Sequence, residues 1–218
     1  MKVLPINAFE AEPWLLEKHY AKRLPMIMYA FGLYESNKLI GVVTYGLPGS
    51  PMVARGICGK DQESIVVELN RLCLLDNDKN QASFLVANSM KLLPKPTIVI
   101  SYADTGQGHV GYVYQACNFI YLGLSVKRTN WNIKGQEHKH NRHLAQGMTL
   151  ELLKEKFKDD FYYSERSQKH RYVFICGNKY QKKQFNSLLK YELQPYPKGE
   201  TTRYDSGNSV KTQQLLFV

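Results

Sequence analysis

Residues 96–125 read PTIVISYADTGQGHVGYVYQACNFIYLGLS, and the fold turns on how this stretch divides. PTIVISYAD is almost continuously apolar, which predicts a strand covered on both faces by helices. Thr105 to Gly108 cannot easily continue it. Val110, Val113, Tyr114 and Cys117 follow at i, i+3, i+4 and i+7, one face of a helix, and IYLGLS returns as a strand. Upstream, IVVELNRLCLL reads as a strand, and DNDKNQASFLVANSMKLL reads as a helix capped by Asp76, Asn77 or Asp78, with Ala82, Leu85, Val86 and Met90 on its apolar face. Strand, helix and strand in that order predict a right-handed parallel crossover.

Further upstream, Lys2–Ile6 reads as a short strand and FEAEPWLLEKHYAKR as a helix with Pro13 in its first turn. MIMYAFGLYE and KLIGVVTYG, joined by Ser36 and Asn37, have the turn chemistry of an antiparallel hairpin. LPGSPMVARGICGKDQES is expected as a Gly/Pro loop. The resulting order β-α-β-β-β-α-β-α-β predicts an α/β mixed sheet, antiparallel early and parallel at its centre. Beyond Val126, KRTNWNIKGQEHKHNRH has no usable period and is expected as a loop or β-ribbon. TLELLKEKFKDD is a short helix and HRYVFICG a strand. NKYQKKQFNSLLKY is a basic helix with Tyr180, Phe185, Leu188 and Leu189 inward, and the tail from Pro195 is expected to be extended or partly mobile.

Of 218 residues, 44% are hydrophobic and 15 are tyrosine, which excludes a disordered chain and fits one elaborated domain. Twenty-nine Lys and Arg against nineteen Asp and Glu give a charge of +10, which favours a polyanionic partner. The excess is concentrated between Val126 and Lys198, interleaved with aromatics, as in nucleic-acid-binding surfaces. No apolar h-region opens the chain and no 18-residue apolar run occurs, so neither a signal peptide nor a membrane span is expected, and the location implied is cytoplasmic. Cys58, Cys73, Cys117 and Cys176 form no CxxC pair and are expected as buried free thiols.

The order of elements, with YQACNF closing a helix just before a strand, resembles the GNAT acetyltransferase fold. ELNRLCLLD, the block 101–125, KHRYVFICGNK and LKYELQPYPKG together resemble the phage Mom-like family of DNA adenine-modifying proteins, a divergent branch of that fold. The resemblance runs from about the first helix to Pro197. It implies a GNAT-like core over 1–125 with splayed central parallel strands. A basic extension over 126–218 would complete the same domain and contact DNA. It also implies a transferase that places a carbamoylmethyl group on the 6-amino group of adenine in DNA, shielding phage DNA from host restriction, in the host bacterial cytoplasm. The partners are then DNA and a small-molecule donor. Kinship of fold suggests an acyl-CoA, yet the junction DNDKNQASF lacks the glycines of the usual pyrophosphate loop and carries Asp76 and Asp78, which repel an anion.

Ser101, Tyr102 and Asp104 stand at the carboxyl end of a central strand, where open α/β sheets bind ligands. Asp104 is read as accepting a proton from, or orienting, the adenine amino group, against the reading that with Thr105 it caps the turn at 106. His109 is placed in the first turn of the following helix, where the macrodipole favours a neutral ring able to act as a base. Tyr114 matches the position where many enzymes of this fold keep a general acid, against a core role. Gln115 and Asn118 have the donor and acceptor pairs to read an adenine edge. Glu68 and Arg71 clamp substrate or donor, or form a buried ion pair. Three apart, they share a strand face only if a bulge lies between them. His19 and Tyr20, with Arg23 beside them, are placed to line the same cleft. Lys127, Arg128, Arg142, His170, Arg171, Tyr172, Lys182 and Lys183 are expected on DNA, with Tyr172 available for stacking. Glu137, His138, His140 and His143 have metal-ligand composition, but a solvated segment is the better reading and no metal is expected.

Two competing functions remain on sequence alone. One is a GNAT-type N-acyltransferase acting on a small amine or protein, and the other is a non-catalytic nucleic-acid-binding protein. Nucleoside chemistry separates all three.

Overall fold

The computed structural model describes residues 1–199 except 77, 138 and 140, together with the backbone of residues 215–216. A seven-stranded mixed sheet carries the core. In spatial order its strands are β1 (Lys2–Pro5), β2 (Tyr29–Glu35), β3 (Lys38–Gly46), β4 (Val66–Leu74), β5 (Thr97–Asp104), β9 (Lys169–Cys176) and β6 (Ile120–Leu124). A second sheet orders β10 (Leu215–Leu216), β8 (Phe161–Arg166) and β7 (Arg128–Ile133). The helices are α1 (Ala8–Pro13), α2 (Pro51–Cys58), α3 (Gln81–Leu92), α4 (Tyr112–Ala116), α5 (Asn141–Ala145), α6 (Leu150–Phe157) and α7 (Lys179–Ser187). This is the mixed α/β architecture expected, a sheet flanked by helices.

Local chemistry explains most of it. The β2–β3 hairpin turns on Ser36 and Asn37, both at positive φ (46° and 64°), the conformation that matches the twist of a two-residue hairpin. α3 lays Leu85, Val86 and Met90 on Val67, Leu69 and Val99, and α4 closes the same sheet face through Val113 and Tyr114, with Cys117 and Phe119 following from the turn after it. α2 and α7 cover the opposite face through Ala54, Ile57 and Phe185 against Ile98, Ile100 and Val173. All four cysteines are buried free thiols.

Several expectations need correction. The stretch 47–64 is not a loop. Pro51 opens α2 behind Ser50, whose hydroxyl accepts from the Met52 N–H, and Gly59 closes it at φ 97°, so the glycine and prolines punctuate a helix. Pro13 sits at the end of α1, where its missing N–H interrupts the ladder and the chain widens into a π-turn over Trp14–Lys18. The cap of α3 is Asn80, at φ 68°, not Asp76 or Asp78, and Asn77 lies outside the described residues. α4 begins only at Tyr112, so Val110 and His109 precede it. Tyr180 on α7 is 75% exposed and Leu188 is exposed, leaving Phe185 and Leu189 as the inward residues.

The largest difference concerns β9. β5 is parallel to β4 but antiparallel to β9, which lies between β5 and β6. A strand from beyond residue 126 is therefore inserted into the sheet between β5 and the edge strand β6. Of the stretch expected as a loop or β-ribbon, Arg128–Ile133 forms β7, whose partner β8 comes from beyond it, and α5 begins at Asn141. Residues beyond 199 other than 215–216 are outside the described part of the chain.

Candidate functional site

Two irregularities in neighbouring strands make the site. β4 and β5 pair only from Val66 with Ile98 to Glu68 with Ile100, although both strands continue. Beyond those residues they part. In the same region the β3–β4 register shifts, Tyr45 facing Leu69 and Thr44 facing Arg71, which leaves Asn70 as the extra residue of a bulge. Its side chain is tied at both ends, accepting from Thr44 Oγ1 at 2.6 Å and donating to the Met26 carbonyl at 3.1 Å. The bulge resets the alternation, so Glu68 and Arg71 share a face as the spacing required. No ion pair joins them among the described residues.

Into the opening come residues from three further segments. Ser101, fully buried, donates across the gap to the Leu69 carbonyl at 3.1 Å. His19 and Tyr20 arrive from the end of the first helical segment, ring to ring at 4.4 Å, and Tyr20 meets His109 edge-on at 6.4 Å. Tyr114 reaches in from α4, its ring held by Phe119 and Tyr172 at 5.3 Å each. Burial pushes its phenol up to about 12, with the nearby Ser101 hydroxyl pulling the other way and Tyr20 and Glu68 adding to the rise. Glu68, half-buried, is raised above the ordinary carboxylate range by burial, although the Gly49 N–H, Lys169 and Arg71 oppose the shift. Tyr102 is raised by burial, with Arg171 beside it acting in the opposite direction.

Asp104 caps the turn Thr105–Gln107. Its Oδ1 accepts from the Gly106 N–H at 2.9 Å and from Ser167 Oγ at 2.5 Å, and its Oδ2 faces Lys169 Nζ at 3.4 Å. The His109 N–H donates to the Asp104 carbonyl at 3.1 Å. His109 titrates below the ordinary histidine range because it is buried, with Asp104 pulling upward. The neutral ring expected from a helix terminus is therefore produced by desolvation.

His19, Tyr20 and His109 are linked ring to ring, Ser101 bridges to β4, and Glu68, Arg71 and Tyr114 lie within electrostatic reach of them. Tyr102 instead packs on the α2/α7 face beside Arg171 and Tyr191, and Asp104 is engaged by Gly106, Ser167 and Lys169. Gln115 and Asn118 do not join them. The Gln115 amide nitrogen serves the Val110 carbonyl (3.2 Å), the Tyr172 hydroxyl (3.1 Å) and the Pro197 carbonyl (3.2 Å), and Asn118 is an exposed turn residue at φ 58°. Three residues expected on DNA lie inside the fold. Tyr172 is fully buried and offers no face for stacking. His170 is buried, bonded through Nδ1 to the Tyr121 hydroxyl at 2.7 Å, and lowered by that burial. Arg171, 9% exposed, stacks on Tyr191 at 3.9 Å. β9 lies inside the sheet between β5 and β6, and these three side chains are covered there. Lys127, Arg128, Lys182 and Lys183 are exposed, and the Arg142 side chain, His138 and His140 lie outside the described residues. Among the described residues no cluster of metal-ligating side chains occurs, and no helix is long and apolar enough to cross a membrane. Sequence reasoning missed Ser167, Lys169 and Tyr191. Lys169 pairs with Asp104 in the β5–β9 register, a contact legible only once β9 is known to lie beside β5.

The buried histidines set an acid sensitivity. Burial, with Arg71 and His109 adding to it, holds His19 at about 3, whereas an unfolded histidine titrates near 6.5. Between those values the unfolded chain binds a proton that the folded one does not, so stability falls as pH falls. Glu68, with its raised value, runs the opposite way. Unfolding free energies from denaturant titrations are expected to drop by roughly 1 kcal/mol per pH unit between about pH 7 and about pH 4 for this histidine, and His19→Gln is expected to flatten the curve. An equally steep curve in that variant would remove His19 as the cause.

A sequence model of the Mom protein family matches residues 1–198. The methylcarbamoylase mom of Escherichia phage Mu is 28% identical over 210 residues, covering 91% of this chain and 84% of that protein. Among solved structures, a probable acetyltransferase from Staphylococcus epidermidis ATCC 12228 aligns with a TM-score of 0.47 at 8% identity over 80% of this chain and 98% of its own. A putative phosphinothricin N-acetyltransferase aligns at 0.46 and 8% identity over 81% and 99%.

Proposed function

The chain belongs to the Mom protein family, and on that premise we propose that it is a transferase that places a carbamoylmethyl group on the 6-amino group of adenine in DNA. The observation that carries this reading is the convergence of Tyr20, Glu68, Arg71, Ser101, His109 and Tyr114 at the β4–β5 opening. The phage Mu relative is named a methylcarbamoylase, which supports the chemistry. An adenine in duplex DNA must leave the stack to reach so enclosed a site, at a cost of a few kcal/mol.

In this reading the adenine nitrogen forms a bond to the methylene carbon of the donor as the bond from that carbon to the leaving group breaks. The nitrogen's proton passes to His109, which is neutral and able to accept it, and the Asp104 carboxylate favours the imidazolium that forms. Asp104, Ser167 and Lys169 hold the loop from which His109 projects. Tyr114, protonated at neutral pH, donates to the leaving group. The donor is a small molecule. Kinship of fold suggests an acyl-CoA, but a thioester transfers its carbonyl carbon and not a methylene, and the glycine-free junction 76–80 also stands against it. The step needs a donor whose methylene carbon carries the leaving group. Exposed Lys127, Arg128, Lys182 and Lys183 hold phosphates, so binding weakens steeply with salt. Modified adenines then shield the DNA from restriction enzymes.

Mass spectrometry of nucleosides from cells expressing the protein tests the reading. Carbamoylmethylated deoxyadenosine is the expected product. Unmodified deoxyadenosine with DNA binding retained would leave a binding protein, and acylated protein or polyamine would make it an N-acyltransferase.

A further inference from the structure

His19 is fixed in an unusual way for a residue beside a reacting centre. It ends the first helical segment, and the chain turns at once, the Lys22 N–H donating to the His19 carbonyl at 2.9 Å with Lys22 at φ 43°. Inside that turn the Ala21 backbone N–H points at His19 Nδ1 at 3.1 Å. A backbone N–H can only donate, so Nδ1 must be the unprotonated nitrogen. The residue is 8% exposed and its environment opposes an added proton, from burial first and from the Arg71 charge second. A neutral ring whose Nδ1 accepts carries its hydrogen on Nε2. His19 is therefore a hydrogen-bond donor at Nε2, with no proton-accepting nitrogen left to serve as a base.

Arg71 is the neighbouring donor. Its Nη1 donates to the Asn70 carbonyl at 2.7 Å and its Nη2 reaches the Arg23 carbonyl at 3.4 Å. Its Nε is buried without a hydrogen-bond partner, and no carboxylate pairs with the guanidinium among the described residues. Buried donors in folded proteins almost always have an acceptor. An unpaired guanidinium nitrogen beside a neutral imidazole donor is a deficit that an arriving oxygen would remove.

We propose that His19 Nε2–H and the Arg71 guanidinium form a subsite for an acceptor oxygen of the small group donor, the oxygen of a carboxylate or of a primary amide. The inference rests on the transferase reading and assigns His19 to holding the donor, while His109 and Tyr114 move protons. Neutral imidazole suits the task, because it polarises a carbonyl or carboxylate without placing a second positive charge beside Arg71.

The test reads the histidine directly and needs no DNA, so its failure is distinguishable from failure of the adenine reading. Long-range ¹H–¹⁵N spectra of the labelled protein, with His19 assigned from the His19→Gln variant, are expected to show the neutral Nε2–H form at about pH 7 and still at about pH 5, where an ordinary histidine is charged. Acetate and acetamide are the two probes. A shift of the His19 Nε2–H and Arg71 Nε–H signals with acetate marks a carboxylate site, and one with acetamide marks an amide site. A response to neither probe would overturn the proposal, as would a His19 protonated on Nδ1. In the reaction, His19→Ala is expected to lose about 10²–10³ in turnover. His19→Gln keeps an N–H near the position of Nε2 and is expected to recover most of it. A Gln variant as inactive as the Ala variant would make His19 a base or a metal ligand, and the subsite would fall.

Discussion

Replacing Tyr114 with phenylalanine is expected to lower adenine modification by about 10²–10⁴-fold, the range a positioned proton donor contributes, with little change in stability. The change removes one oxygen. The ring contacts with Phe119 and Tyr172, both at 5.3 Å, survive it, and so does the packing that holds α4 on the sheet. What disappears is a phenol pushed up to about 12 by burial, which is fully protonated at neutral pH and stands between the parted strands. The measurement pairs modified deoxyadenosine formed per unit time with a thermal melt. Undiminished turnover in a folded variant would remove Tyr114 from proton transfer. A large loss of stability would return it to a packing role.

Gly111→Ala is expected to be the most damaging single methyl in the site loop. Gly111 sits at φ 82°, and a Cβ there would lie 2.5 Å from Tyr172 Cε2. The left-handed backbone costs a non-glycine residue about 1–2 kcal/mol. The clash adds about 1–3 kcal/mol, because Tyr172 cannot retreat. It is fully buried, its hydroxyl donates to the Val110 carbonyl, and it accepts from Gln115. The sum of roughly 2–5 kcal/mol corresponds to a fall in Tm of about 5–15 °C for a chain of this size. Gly49→Ala is the control. Its Cβ would meet nothing within 4 Å, and a change within about 0.5 kcal/mol is expected. Equal melting temperatures for the two variants would show that the loop yields freely and that Tyr172 does not brace it.

Residue-level signals reached the local elements and stopped where long-range pairing decided. Ser36 and Asn37 announced the hairpin because a two-residue turn demands positive φ, and the 3.6-residue spacing of α3 survived intact. In 47–64 the same residue types misled, since Pro51 and Gly59 bound a helix as readily as they mark a loop. The bulge at Asn70 was needed by the chemistry of Glu68 and Arg71 before it was seen, and the structure supplies it. The position of β9 had no local signature. KHRYVFIC reads as a strand, yet nothing in it says that it lies beside β5, so His170, Arg171 and Tyr172 were assigned to a surface when they belong to the interior. Their basic and aromatic character is used inside, Arg171 stacking on Tyr191 and Tyr172 bracing the loop at Val110. Gln115 was misread for a related reason, since its partner Pro197 is 82 residues away.

The most direct test of the central claim is tandem mass spectrometry of deoxyadenosine from the DNA of cells expressing the chain or its Tyr114→Phe variant, with the fragment carrying the added group identified. A carbamoylmethyl group on the base at its 6-amino nitrogen, present with the unaltered chain and nearly absent with the variant, is the result this account predicts. Deoxyadenosine left unmodified by the unaltered chain, with the folded protein present and bound to DNA, would contradict it.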